Sequence, residues 1–251
     1  MWESLQRHPF GVEAFFRRSL VLTYAVPKSV LADLVDPGLA LDTYDDQWAF
    51  VAIAMVQTEG LRPKGFPQWL GRDFFLSGYR IFMRFDRPGH PSLRGLRILR
   101  SDTDRRVMKV FGNVFTHYNY RVADVTLTAD DDQLELIVRT PNREADLSLV
   151  ANLASRPAPL PEGSPFRSLE EAREFAGPLP FTFSYDRKQA KMVVIKGLRS
   201  AWDPQPVHVD VREVSWLEQP RFAGKDVRLA NAFYLENIPY EWKPGTLESI
   251  A

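Results

Sequence analysis

The chain has 251 residues, 45% of them hydrophobic and 25% charged, so it is long enough to bury a substantial core. We expect a single domain spanning residues 1–251. Lysine plus arginine equals aspartate plus glutamate at 32 each, so no net field would hold nucleic acid or an anionic membrane. The absence of cysteine excludes disulfides, thiolate nucleophiles and zinc–sulfur sites, and it suits a reducing compartment.

No segment has the pattern of a targeting signal or a membrane span. Residues 1–8 lack the apolar core of a secretory signal, and no later stretch approaches the ~20 uninterrupted apolar residues of a spanning helix. We therefore expect a cytoplasmic protein with no membrane partner. The sequence does not indicate an oligomeric state.

Strand patterns dominate the first third of the chain. The aromatic and aliphatic segment 15–26 predicts a strand, after which Pro27 begins a short helix. The nearly continuous apolar run 48–56 is typical of a strand buried on both faces. Prolines and glycines make 60–71 a predicted loop, with one helical turn around 68–70.

The middle of the chain predicts a hairpin followed by a helix. Residues 74–85 alternate between two faces and are expected to pair with 93–100. Acidic residues at 102–104 are typical of helix caps, so a basic helix is predicted over about 105–111, with Gly112 ending it.

The remainder predicts more strands and one further helix. Ser168 and Glu171 have the spacing of a capping box, which favours a short helix to about Phe175. We expect a mainly β (α+β) fold whose strands are largely antiparallel. The further predicted strands are 115–128, 133–140, 145–152, 181–185, 191–196, 207–216 and 227–235.

Several kinds of chemistry have no support in the sequence. The four histidines stand far apart, and none has the helical spacing of paired metal ligands. The glycines do not form a phosphate-binding loop, and there is no Gly-x-Ser-x-Gly motif. We therefore predict neither a metal site nor a cofactor.

Arg80 is the sharpest candidate for a functional residue. It follows Gly78 on the same face of a predicted strand and sits beside Phe82. A guanidinium in so apolar a segment needs a carboxylate, a backbone carbonyl or a bound anion as its partner. A buried ion pair and an anion-binding role both remain open. Three acids could supply the carboxylate: Glu59, Asp73 and Glu135.

A basic patch follows on the predicted helix, formed by Arg105, Arg106 and Lys109. Basic residues at this spacing are common on solvated helix faces, and the same pattern is compatible with ligand binding. The sequence leaves both readings open.

Separate segments along the chain, in a fixed order, resemble one known family. They are the helix and Gly-Leu step in 31–41, the acidic turn and tryptophan-led strand in 42–56, the strand 77–83, Arg106, and the helix-then-strand segment 168–185. In the strand, Gly78 and Phe82 replace an asparagine and a tyrosine. These segments resemble the YqjF-like domain of unknown function, a branch of the acetoacetate decarboxylase-like superfamily.

The resemblance implies an antiparallel β cone or barrel with short helices at its rim and an interior pocket. Ligand-binding residues are then expected to include Arg80, Phe82, Arg106 and Phe115. Decarboxylases of this superfamily form a Schiff base through a lysine that follows a Gly-x-Pro step. In this chain the proline position is Val114 and the lysine position is Phe115.

Three functions therefore remain open. The leading one is a pocket for a small organic anion or an apolar small molecule, without Schiff-base chemistry. The second is a lyase or related enzyme acting on a keto acid, with Lys109 or Lys196 as catalytic candidates and with Arg80 and Arg106 binding the carboxylate. The third is a structural or protein-binding domain whose barrel is filled by side chains.

Overall fold

The computed structural model describes residues 2–87, 89–177, 179–200 and 202–250. These residues form mainly strands, with two α-helices, α1 (Arg106–Phe115) and α2 (Leu169–Ala176), and several short 3-10 turns. The prediction of a mainly β fold is confirmed. The strands are β1 (Val12–Pro27), β2 (Leu39–Leu41), β3 (Trp48–Pro63), β4 (Arg72–Phe85), β5 (Leu93–Thr103), β6 (Tyr120–Val122), β7 (Asp124–Ala129), β8 (Gln133–Arg139), β9 (Leu147–Asn152), β10 (Phe181–Asp186), β11 (Lys191–Arg199), β12 (Gln205–Pro206), β13 (His208–Val214), β14 (Arg228–Trp242) and β15 (Thr246–Ser249).

Seven of these strands close into a hydrogen-bonded ring. Its order is β14, β1, β3, β4, β5, β10 and β11, and β11 pairs back with β14 through Gly197–Arg199. Neighbours in the ring are antiparallel except β5 and β10, which run parallel. Because successive side chains on a strand point to opposite faces, each ring strand sends one set inward and the other outward.

A second, four-stranded sheet with the order β13, β9, β8 and β7 covers part of the outer face of the ring. Val51 and Ile53 of β3 belong to one hydrophobic cluster with Leu136 and Val138 of β8. The alternate side chains of β3, such as Phe50, point to the inside of the ring. This two-sided packing explains why every residue from 48 to 56 is buried, as the apolar run predicted.

An aromatic plug closes one end of the ring. Phe50 of β3 stacks on Phe166 with ring centroids 5.4 Å apart, and Phe82 of β4 lies 5.5 Å from Phe50. Phe175 of α2 and Tyr44 complete this group. We call these five residues the aromatic plug. Helix α1 lies toward the other end, where its Met108 shares a hydrophobic cluster with Phe74 near the start of β4, and the turn Gln68–Leu70 directly precedes that strand.

The end of α1 differs from the prediction. The helix does not stop at Gly112 but continues to Phe115, so Phe115 is helical rather than part of a strand. Gly112 instead allows the Tyr120 side chain to pack closely against the helix backbone, because a Cβ atom at this position would lie 2.2 Å from Cδ2 of the Tyr120 ring. A glycine in a helix can reflect packing as well as termination.

The acids ahead of α1 also differ from the prediction. Asp102 is not a helix cap but a residue of β5, fully buried, and its carboxylate accepts from Arg100 Nε at 2.8 Å. Asp104 accepts from the backbone NH of Phe75 at 2.8 Å. Both carboxylates thus stabilise the sheet, and the N-cap residue Arg105 makes no side-chain capping bond.

Other boundaries shift because pairing with neighbours extends the strands. β3 runs into the predicted loop 60–71 as far as Pro63, and β14 continues to Trp242, far beyond the predicted end at 235. The helix predicted at Pro27 is a pair of 3-10 turns, and β15 was not predicted.

The predicted capping box of α2 is half confirmed. Ser168 Oγ accepts from the backbone NH of Glu171 at 3.1 Å, as expected. The Glu171 carboxylate, however, accepts from the backbone NH of Arg167 at 2.7 Å instead of returning to Ser168.

No helix in the described part of the chain is long and apolar enough to cross a bilayer.

Candidate functional site

The ring encloses a cavity of about 510 Å³, which we call the ring cavity. The side chains that line it come from the strands of the ring, from α1, from the end of α2 and from the segment before β1. Most are apolar or aromatic. No aspartate, glutamate or lysine is among the described residues that line the cavity. The presence of this cavity means that side chains do not fill the interior of the strand ring.

Arg80 of β4 lies on the wall of this cavity, and its Nε has no hydrogen-bond partner among the described residues. The guanidinium lies over Gly78, where an added Cβ would be 3.2 Å from Nε and 3.3 Å from Nη2. Gly78 thus leaves the space that the guanidinium occupies. Burial lowers the pKa of Arg80, yet an arginine keeps its charge at neutral pH.

The acids that the sequence suggested as partners of Arg80 are engaged elsewhere. Glu59 accepts from Arg17 at 3.1 Å, Asp73 from the backbone NH of Gly60 at 2.7 Å, and Glu135 from Arg212 at 2.8 Å. Within the described residues, no carboxylate pairs with Arg80. The buried ion pair considered from sequence is absent there.

A second arginine, Arg199 of β11, lines the cavity near Arg80. Its guanidinium carbon lies 3.9 Å from the ring centroid of Trp202, and Nη2 is 3.4 Å from the carbonyl oxygen of Leu179. Burial lowers the pKa of Arg199, and its positive charge contributes to lowering the pKa of Arg80. The two cations therefore repel each other, and an anion between them would relieve this repulsion.

Three further polar side chains of the cavity, those of Tyr118, Tyr120 and His8, are neutral at neutral pH. Burial raises the pKa of Tyr118, and it raises the pKa of Tyr120 to about 12. Burial lowers the pKa of His8, which also lines the cavity, to about 4. Neutral tyrosine hydroxyls can donate to an anion, while the imidazole stays uncharged at pH 7.

Tyr120 is positioned by α1. The Asn113 side chain pairs with the Tyr120 backbone like a neighbouring strand, donating to its carbonyl oxygen at 2.9 Å and accepting from its NH at 2.8 Å. Gly112 lets the Tyr120 ring pack directly on the helix. Gly112 and Asn113 of α1 therefore hold a cavity tyrosine in place.

The structure brings together three of the four ligand-binding residues expected from sequence. Arg80, Phe82 and Phe115 all line the ring cavity, with Phe82 also part of the aromatic plug. Arg106 is exposed on α1 and does not line it.

The two lysines considered as catalytic candidates lie outside the cavity. Lys109 is exposed on α1, on a different face from the buried Met108. Lys196 is exposed on β11, with its ammonium 5.9 Å from the Phe181 ring. Neither lines the ring cavity.

Sequence reasoning missed several cavity residues, notably Arg199, Tyr118, Tyr120 and Tyr240. Arg199 lies three residues past the predicted end of its strand, at 196, because pairing with β14 extends β11 to it. Tyr240 joins the site only because β14 pairs with β11, which no local pattern reveals. The described residues contain no cluster of three or more His, Asp or Glu placed to hold a metal ion.

A second concavity, of about 680 Å³ and more open to solvent, lies outside the ring. Its arginines are already paired: Arg100 with Asp102 at 2.8 Å, Arg121 with Glu144, and Arg143 with Glu213 at 2.7 Å. Because these charges are neutralised within the protein, this surface attracts an anion less than the ring cavity does.

Comparison with known families identifies the chain. Residues 13–239 match the DUF2071 family, described as an uncharacterized conserved protein. The match covers most of the chain, which therefore belongs to this family, and the resemblance to the YqjF-like domain is confirmed. No curated protein matches the chain.

Solved structures confirm the acetoacetate decarboxylase-like fold. Acetoacetate decarboxylase from Legionella pneumophila has a TM-score of 0.61 at 12% identity, covering 96% of this chain and 88% of that one. An acetoacetate decarboxylase-like enzyme from Sphingomonas wittichii has a TM-score of 0.57 at 14% identity. The match covers 94% of this chain and 91% of that one. The enduracididine biosynthesis enzyme MppR complexed with pyruvate has a TM-score of 0.61 at 11% identity. The match covers 96% of this chain and 91% of that one. At these identities the likeness concerns the fold alone.

Proposed function

We propose that the protein binds a small organic anion, of which a carboxylate is the simplest kind, inside the ring cavity. The observation that carries the proposal is Arg80: a charged guanidinium on the wall of an apolar cavity, with no acid among the described lining residues. A partly buried cation without a partner among the described residues is costly, and a bound anion would compensate it.

The surroundings of Arg80 support an anion over a neutral ligand. Arg199 adds a second positive charge, and the hydroxyls of Tyr118 and Tyr120 can donate hydrogen bonds. The planar fork of a guanidinium suits a carboxylate, which it can bind through two parallel hydrogen bonds. MppR, one of the structural neighbours, is described in complex with pyruvate, which is such a carboxylate.

We further propose that this binding does not involve a Schiff base. That chemistry needs a lysine whose amine reaches the ligand. By the resemblance, Phe115 stands where the superfamily's decarboxylases have their lysine. Its side chain lines the cavity, with its ring centroid 5.0 Å from that of Phe10. The exposed Lys109 and Lys196 do not line the cavity, which argues against the keto-acid lyase considered from sequence.

Binding tests the proposal directly. Calorimetric titration of the purified protein with pyruvate, benzoate and octanoate is expected to show saturable binding of at least one of these carboxylates. Arg80→Met should weaken that binding about tenfold or more, because a charge-assisted hydrogen bond is lost. Arg84→Met is the matched control, since Arg84 lies on the same strand but is exposed and outside the cavity.

Two outcomes would contradict the proposal. If none of the carboxylates binds, or if Arg80→Met binds them as well as the wild type does, the anion site is wrong. If borohydride reduction in the presence of pyruvate adds the mass of a reduced adduct to a lysine, the non-covalent assignment is wrong.

A further inference from the structure

We infer that the ligand is an amphipathic carboxylate, with its carboxylate held at Arg80 and an extended apolar body that fills the rest of the ring cavity. This inference rests on the proposed anion site and adds the class of the ligand. It follows from the size of the cavity, from where its charges lie and from the nature of its opening.

The cavity is much larger than a short keto acid requires. At about 510 Å³ it lies within the range of roughly 300–1,000 Å³ that is typical of sites for drug-sized ligands. A molecule the size of pyruvate would leave most of this volume to water against apolar walls, where water finds few hydrogen-bond partners. An apolar group of the ligand fits that space better.

Along β4, an apolar stretch of the cavity wall lies between Arg80 and the start of the strand. Arg80 lies next to Phe82, a residue of the aromatic plug, and so marks the closed end. From there toward the start of β4, the cavity-lining residues of this strand are Leu76, Phe74 and, at its first position, the exposed Arg72. The rise from Gly78, beneath the guanidinium, to Phe74 is about 13 Å at the usual spacing of a strand.

The walls opposite this part of β4 are apolar as well. Val56 of β3, Ile98 of β5 and Met108 of α1 line the cavity there, and Phe74 and Met108 share one hydrophobic cluster with Ile98. A carboxylate at Arg80 would therefore place its remaining atoms between apolar side chains.

The opening of the cavity combines exposed aromatic rings with basic side chains, among them Arg62 and Arg72. Among the lining residues, Phe111 of α1 is 53% exposed and Phe10 is 36% exposed, which places both where the cavity meets solvent. Leu70 and the exposed Arg72 line the cavity from the start of β4 and the turn before it. An apolar body can contact the exposed rings of Phe111 and Phe10 at this rim, and a short polar acid has no apolar surface to bury against them.

A series of straight-chain acids tests the inference. Calorimetry with butanoate, hexanoate, octanoate and decanoate, all below their micelle concentrations, is compared with pyruvate and acetoacetate. The dissociation constant is expected to fall about fourfold for each methylene that enters the cavity, and to level off once the cavity is full. Octanoate should bind more tightly than its alcohol, octan-1-ol, and Arg80→Met should remove that difference.

A substitution near the opening locates the apolar body. Leu61 lines the cavity, is only partly buried and pairs with Arg72 at the start of β4. Leu61→Trp should weaken the binding of decanoate and leave that of butanoate unchanged, since only the longer chain extends so far. Equal effects on both acids would overturn the placement of the chain.

The outcomes separate this inference from the proposed function. If pyruvate or acetoacetate binds as tightly as octanoate, the anion site stands and the amphipathic ligand is wrong. If octan-1-ol binds as tightly as octanoate to the wild type, the anion site fails. If no acid of the series binds, both fail.

Discussion

Arg80 and Arg100 lie on adjacent strands, β4 and β5, and differ in what surrounds the guanidinium. Arg100 pairs with the fully buried Asp102 at 2.8 Å and also with Glu144 at 2.7 Å. Arg80 has no carboxylate partner within the described residues and faces the ring cavity. Arg100 therefore has a structural role, and Arg80 is available for a ligand.

This contrast predicts opposite effects on stability. Arg100→Met should lower the free energy of unfolding by about 3–5 kcal/mol, because it leaves the buried carboxylate of Asp102 unpaired. Arg80→Met strands no charge and replaces an unpaired cation with an apolar side chain, so stability should be unchanged or slightly higher. Urea denaturation monitored by tryptophan fluorescence measures both. A loss at Arg80 comparable to that at Arg100 would indicate a partner for Arg80 and contradict the anion site.

At the scale of elements, α1 connects the fold to the cavity. Its buried residues are Met108 and Gly112, and Asn113 fixes the backbone of Tyr120 by two hydrogen bonds. Both Met108 and Tyr120 line the cavity. A change in how α1 packs should therefore alter the site as well as the stability.

Gly112→Ala tests this connection through the sign of its effect. In an exposed helix, alanine is more favourable than glycine by about 1 kcal/mol. At this position the new methyl would lie 2.2 Å from the Tyr120 ring, so we expect a loss of about 1–3 kcal/mol together with weaker octanoate binding. Val110→Ala, at an exposed position of α1, is the control and should change neither. If Gly112→Ala stabilised the protein, helix α1 and the side chain of Tyr120 would not be in contact.

The elements that the sequence predicted well are those with a strong local pattern. The apolar run of β3 and the alternation of β4 gave these strands nearly correct starts, and the cap at Ser168 correctly located α2. Errors arose where distant partners decide the structure. Asp102 has the local pattern of a helix cap, but its carboxylate accepts a hydrogen bond from Arg100 and it lies in β5. Gly112 has the local pattern of a helix end, but the close approach of the Tyr120 side chain requires a glycine there.

For the whole molecule, the closure of the ring determines which residues share the site. Arg80, Phe82 and Phe115 could be selected from one contiguous region and its resemblance to a family. Arg199 and Tyr240 could not, because they meet only through the pairing of β11 with β14. Closure also explains how the cavity persists: the strands are held by hydrogen bonds on both sides and cannot collapse inward without breaking them.

Filling the cavity tests whether this space is truly free. Val56 and Val51 lie on opposite faces of β3, Val56 lining the ring cavity and Val51 in the core beneath the second sheet. Val56→Phe should keep the free energy of unfolding unchanged or raise it by about 0.5–2 kcal/mol, because the ring finds room, while octanoate binding falls. Val51→Phe should lower the free energy of unfolding by about 1–3 kcal/mol, because the core beneath the second sheet is closely packed. Denaturation and calorimetry on both variants decide the matter: equal destabilisation would mean that side chains fill the interior and that the protein has no ligand site there.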